Sequence, residues 1–277
     1  MIVTDVPPEE SPSGEPTWRI VTQPDHARLA FELLRLWHRP ELANHPRREE
    51  ILFAAREHDN GWRELDAAPL WNAAEDRAGD DAEGVGGRPH DFRSMPARHR
   101  IDLWLRGTER FSENRPYASL LITLHALALN QRGEEDGNEP AISERWDEMI
   151  GRLEERRDDL LEETGAKLDQ ALDDYRFVRF ADTASLTALA AWGGFEVDVP
   201  GPDGAGDLTL GGELEPARDA AKPPTLHLTP LPLAGATTFR LPARHLPRRD
   251  YGDDVSLAVA LATARWGEYR VRVAGAG

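Results

Sequence analysis

Four side chains suited to metal binding interrupt otherwise apolar patterns: His26, the dipeptide His58-Asp59, and Asp182 in Ala181-Asp182-Thr183-Ala184-Ser185-Leu186. Imidazole nitrogen and carboxylate oxygen together suit zinc, iron or manganese, so a divalent metal, as one or two ions, is the expected cofactor. Cysteine is absent, which excludes thiol catalysis, iron–sulfur clusters and disulfides and leaves His, Asp and Glu as the ligands. Asp59 can reach one ion or bridge two. His125 falls within a run of leucines and alanines, where it is either a hydrogen-bonded core histidine or the ligand of a second ion. Asp182 has two readings as well, because an aspartate opening a helix is a natural N-cap.

The chemistry of such a set is hydrolysis, since a bound metal lowers the pKa of its water. Asp66 or Glu57 is placed to shuttle the proton. Arg63 and Arg115 flank the motifs and suit bidentate contacts to phosphate. Trp62, Trp71 and Tyr117 offer an aromatic wall, although core packing is the commoner use of tryptophan. His38, His45, His90, His99, His227 and His245 read as structural or exposed. The expected function is a metal-dependent hydrolase of small phosphate esters or nucleotides, with a small molecule as partner. The alternatives are a non-enzymatic ligand-binding or regulatory protein, and a di-iron oxygenase.

These residues must be positioned mainly by helices. Apolar residues at helical spacing predict helices over 24–37, 47–58, 96–111 and 116–130, then one long helix over 141–175 and a further one opening at Asp182. Asp59-Asn60-Gly61 is a turn signal. Trp18 to Val21 reads as a short extended segment. After Trp192-Gly193-Gly194 the texture changes to short strand-like runs with Gly and Pro between them, and one helix at about 253–264. The expected fold is mainly α: a disordered acidic tail over 1–16, a helical domain over 17–191, and a β-rich unit over 192–277. That last unit carries no comparable ligand set, so it is expected to cover or stabilise the helices. The segment 72–89, acidic and glycine-rich, reads as a surface loop.

The 277 residues carry 33 basic and 50 acidic side chains, a net charge of −17. Only two of the basic residues are lysine, Lys167 and Lys222. A field this negative argues against nucleic acid and anionic membranes as partners, so an anionic substrate needs a local island of metal or arginine. No apolar run is long enough to span a bilayer, and a cytoplasmic location is expected.

The order His26, His58-Asp59, Asp182 resembles the HD superfamily of metal-dependent phosphohydrolases. That resemblance implies an HD-like helical bundle, a mono- or dinuclear metal, and attack of water on a phosphate ester. A broader resemblance runs through Trp18, Gln23-Pro24-Asp25-His26-Ala27, His58-Asp59-Asn60-Gly61-Trp62, Asp66 with Pro69, and Tyr117-Ala118-Ser119 with His125. These strings look like the family catalogued as domain of unknown function 3891, which groups the residues without implying a reaction. The acidic tail and the stretch 72–89 look like additions to its pattern.

Overall fold

Strands from both ends of the chain meet in one sheet. The computed structural model describes residues 1–73, 87–130, 140–202, 206–217 and 222–276; the acidic turn at 131–139 and most of the loop expected over 72–89 lie outside them. β1 (Ile2–Val6) and β2 (Thr17–Val21) precede the helices, and β3 (Trp71–Ala73) pairs with β4 (Gly87–Pro89) in a separate two-stranded sheet. β5 (Phe195–Pro200), β6 (Asp207–Glu215), β7 (Thr225–Thr229), β8 (Thr237–Pro247) and β9 (Trp266–Gly275) follow. The seven-stranded order is β1-β2-β8-β9-β7-β6-β5, with β7–β9 parallel and the other pairs antiparallel.

This sheet overturns the expectation of a mainly helical, HD-like bundle. Residues 2–6, expected to be tail, form the edge strand β1, with Ile2, Val3 and Val6 buried. The short segment Thr17–Val21 lies between β1 and β8, with Trp18 opposite Leu246 and Ile20 opposite Arg244. Local pattern identifies a strand but not its partner, and this partner lies more than 200 residues away.

The helices are α1 (Gln23–Arg35), α2 (Pro40–Ala43), α3 (Arg48–Glu57), α4 (Arg63–Ala67), α5 (Ala97–Glu109), α6 (Pro116–Asn130), α7 (Pro140–Thr164), α8 (Leu168–Ala188) and α9 (Asp254–Thr263). α1 starts where the sequence directs. Thr22 caps it by accepting from the Asp25 amide at 3.2 Å, and Pro24 occupies its first turn. The single helix expected over 141–175 is instead broken after Thr164, where Gly165 takes a φ of +64°. α8 then runs on through Asp182, which therefore lies deep inside a helix rather than at its start.

The main core joins helices to sheet. Leu33 and Leu34 of α1, Ile51 of α3, Leu120 and Leu121 of α6, and Phe177 and Phe180 of α8 share one apolar cluster with Val199, Leu210, Leu226, Leu228, Val271 and Val273 of the sheet. A second cluster, with Trp62, Trp104, Trp146 and Met149, lies among α5, α6 and α7. On the other side of the sheet, Leu257 and Leu261 of α9 cover Met1, Trp18, Ile20 and Leu246. The rest of that side is open. There, alternation along the strands exposes Arg240, Arg270 and Arg272 on β8 and β9, with Glu268 pairing Arg240 at 2.8 Å, and Glu213, Glu196 and Asp198 on β6 and β5. Among the described residues, no helix is long and apolar enough to cross a membrane.

Candidate metal centre

Three helices aim imidazoles and carboxylates at one point. His26 lies on the second turn of α1, His58 closes α3 with Asp59 next to it, and Asp182 projects from α8. His26 Nε2 lies 3.2 Å from His58 Nε2 and 3.0 Å from Asp182 Oδ1. Asp59 Oδ2 is 3.7 Å from His26 Nε2 and 3.5 Å from His58 Nε2, and Asp182 Oδ1 is 3.4 Å from the latter. His125, on α6, stacks edge-on against His58 with ring centroids 4.8 Å apart. Two overlapping triads result, His26–His58–Asp182 and His58–Asp59–His125. Within each, one ligand atom per residue lies within 4.8 Å of the others.

The far nitrogens of the two imidazoles fix how the near ones face. His58 Nδ1 is 2.8 Å from the Ala55 carbonyl, which can only accept, so Nδ1 carries the proton. Ser185 donates its hydroxyl to the Asp182 carbonyl at 2.9 Å and thereby presents an oxygen lone pair to His26 Nδ1 at 2.8 Å. While both rings are neutral, each Nε2 therefore presents a lone pair to the other across 3.2 Å. Two such lone pairs repel unless a cation, either a proton or a metal ion, lies beside them, and an Nδ1 held from behind is the usual arrangement of metal-bound histidine. The choice left open for Asp182 is thus decided against capping, since the α8 amides near it are already in the helical ladder.

Electrostatics agree with a cation-seeking site. Burial alone would lower the His58 pKa, but Asp59 and Asp182 outweigh it and raise it well above the usual histidine range. Burial would likewise raise the two carboxyls. His58 outweighs it at Asp59, as His26 and His58 do at Asp182, and both carboxyls stay ionised below their ordinary values. His125 is pushed down to about 4 by burial and by the His58 charge, and stays neutral with a lone pair available. Its Nδ1 meets the Tyr175 hydroxyl at 3.3 Å. Gln23, one turn before His26, and Asn60, beside Asp59, each keep a buried side-chain oxygen with no hydrogen-bond partner. The fit to a divalent ion rests on the ligand atoms themselves, imidazole nitrogens and carboxylate oxygens within 4.8 Å of one another. The three imidazoles are at most 1% exposed, while Asp59 and Asp182 are 6% and 7% exposed, so solvent meets the centre on its carboxylate side.

The other candidates lie elsewhere. Glu57 accepts from Arg63 at 2.5 Å, and Asp66 holds the Met1 amino group and the Gln23 amide. Both expected proton carriers are therefore already paired. Arg115 binds Glu50 at 2.8 Å. Trp62 is buried in the second core, and Trp71 packs on Trp18 and Tyr251. Tyr117 donates to Asp174 at 2.7 Å, in a buried network with Arg47 and His45. The Glu57, Asp66, Arg115 and Tyr117 side chains are thus engaged with partners outside the centre. Ser185 and Tyr175 went unassigned in the sequence, although Ser185 is three residues from Asp182 and so on the same helical face.

A family model described as "Protein of unknown function (DUF3891)" matches residues 12–248. The chain belongs to this family. The DUF3891 match spans all five converging residues and Ser185. No curated protein and no solved structure matches the chain. The HD-like order rests on the side chains alone, because the sheet differs from the bundle that resemblance implied.

Proposed function

We propose that the protein is a metal-dependent hydrolase acting on small phosphate esters, with His26, His58, Asp59 and Asp182 holding one ion and His125 completing a position for a second. The observation that carries this reading is the convergence of two imidazole Nε2 atoms, 3.2 Å apart, on two carboxylates, with each Nδ1 held from behind. A bound divalent ion supplies a water of lowered pKa and a positive centre for phosphoryl oxygen. The chain's own residues do the rest. Asp59 Oδ1 and Asp182 Oδ2, which make no hydrogen bond within the described residues, take the proton-accepting role expected of Glu57 and Asp66. The almost fully buried imidazoles exclude water from the ion's other side.

Protein purified without chelator should carry one or two zinc, iron or manganese ions per chain and release phosphate from a panel of phosphomonoesters and nucleotides. Asp59→Asn keeps the size of the side chain and removes its charge, so metal content and hydrolysis should both fall. Equal melting temperatures after metal is stripped from both proteins would show that the fold is intact. A folded Asp59→Asn protein with undiminished metal and activity would remove the mechanism, and two irons with oxygen uptake would replace hydrolysis with oxygenation.

A further inference from the structure

A second polar site lies away from the metal centre, in a cleft of about 1110 Å³ bordered by β1, the β3–β4 pair, the loop over 90–94 and the start of α5. Its charge balance is unusual for this molecule. Two carboxylates line it, and each has its own arginine: Asp91 pairs with Arg93 at 2.5 Å and Asp5 with Arg248 at 3.5 Å. Arg88 and Arg98 also line it, and neither has a carboxylate partner among the described residues. Among the described residues, two guanidinium groups without a carboxylate partner thus share one concavity on a chain whose net charge is −17.

The lining is preorganised. Asp91 Oδ1 accepts from the Arg93 and Ser94 amides at 2.9 and 3.1 Å, and Arg93 also reaches the Ala191 carbonyl at 3.3 Å, which fixes the floor of the cleft. Arg88 stands directly opposite Asn72 across the β3–β4 pair, so both side chains share a face. Asn72 is only 9% exposed as a residue and lines the cleft. Behind Arg98, the first turn of α5 opens at Pro96 with no side-chain cap.

We infer that this cleft binds the phosphoryl group of a small molecule, with Arg88 and Arg98 supplying charge-assisted hydrogen bonds and Asn72 a neutral one. Several converging donors match the several oxygens of a phosphate. The volume exceeds what an inorganic ion fills and is of the size that takes a whole small ligand. The site is independent of the metal reading, and chelator separates the two.

The test is calorimetric titration of the full chain at low ionic strength, after chelator treatment, with inorganic phosphate and with ribose 5-phosphate. Both should bind saturably, and Arg98→Gln and Arg88→Gln should each weaken binding about tenfold, the loss of one charge-assisted contact. Arg98 is exposed, so its variant should melt with the wild type even if the Arg88 variant folds poorly. Tighter binding of the sugar phosphate identifies an organic ligand, and equal binding identifies the free ion; both uphold the site. Failure of either probe to saturate in the millimolar range, affinity unchanged within twofold in Arg98→Gln, or binding that is lost on chelation would each overturn it.

Discussion

The Ser185 hydroxyl does for His26 what the Ala55 carbonyl does for His58, and the two supports differ in how they can be removed. Replacing Ser185 by Ala leaves His26 Nδ1 facing a buried void, so the ring can rotate or change tautomer. Metal affinity should drop by roughly ten- to a hundredfold. Ser185→Thr keeps the hydroxyl and should recover most of it, and competition with a chelating dye measures both. Asp174 is a buried carboxylate outside the metal centre. It is 2% exposed and takes bonds from Arg47 and Tyr117, with His45 Nε2 at 3.2 Å. Burial would raise its pKa, but these three neighbours outweigh it and hold it below the ordinary value. Its contribution to stability is therefore full above the unfolded value of about 4 and is lost as pH falls through the lower folded one. Asp174→Ala should cost on the order of 3 kcal/mol at neutral pH, and in urea titrations the gap from wild type should close below about pH 4. The ligands His26, His58, Asp59 and Asp182 were legible because each is a polar residue in an apolar setting. Asp174 was not, because it sits in a run of acids (Asp169, Asp173, Asp174) whose members differ only in which way the helix turns them.

At the scale of elements, the turn after α3 carries most of the precision. Asn60 donates to the Glu57 and Gly107 carbonyls at 2.8 and 2.9 Å, and Gly61 lies so close to α5 that an added methyl would strike the Leu103 carbonyl oxygen. The obstacle is backbone, which cannot swing aside as a side chain can. Gly61→Ala should therefore push α5 from the turn, destabilise the fold by about 1–3 kcal/mol, and loosen metal binding through Asp59 two residues earlier. Gly107 faces the same contact from α5, but there the nearest atom, the Gly61 nitrogen, is 3.3 Å away, so Gly107→Ala should do less on both counts. Differential melting with metal analysis separates the pair. Helix positions along this stretch were readable from periodicity and from Thr22, Pro24 and Asn60-Gly61. The α7–α8 break was missed because the apolar stripe on either side of Gly165 keeps nearly the same phase, and a lone glycine is tolerated within many helices.

At the scale of the whole molecule, the strands were recognised one by one and their assembly was not. Trp18 to Val21 reads as extended, but nothing nearby says that β8 will be its partner, and Ile2 to Val6 is masked by the acidic, proline-rich residues that follow it. The outcome is a single apolar cluster shared by helices and sheet. Phe177 and Phe180 of α8, together with Leu33 and Leu34 of α1, need Val199, Leu226 and Val273 to cover them. Each large apolar side chain uncovered would cost about 1.5–3 kcal/mol, against a total stability of about 5–15 kcal/mol for an ordinary domain. A chain truncated after Ala191 should thus show no cooperative unfolding transition and retain no metal. A sharp transition in that fragment would instead show that the helices stand alone.

The open side of the sheet has a physical consequence that no single contact reveals. From β8 to β5 is four strand spacings, about 19 Å, and over that distance the exposed charge changes from an excess of arginines, with Glu268 offsetting one of them, to acids. This face therefore carries a lateral separation of charge in addition to the molecule's net negative charge. In dilute salt, where the screening length is about 30 Å, an external field acts on both ends together and turns the protein before any contact forms. At physiological ionic strength screening falls to about 8 Å, shorter than the separation, and the two ends act as unrelated patches. Approach to a charged surface would then be oriented in one medium and indifferent in the other, with no change in the fold.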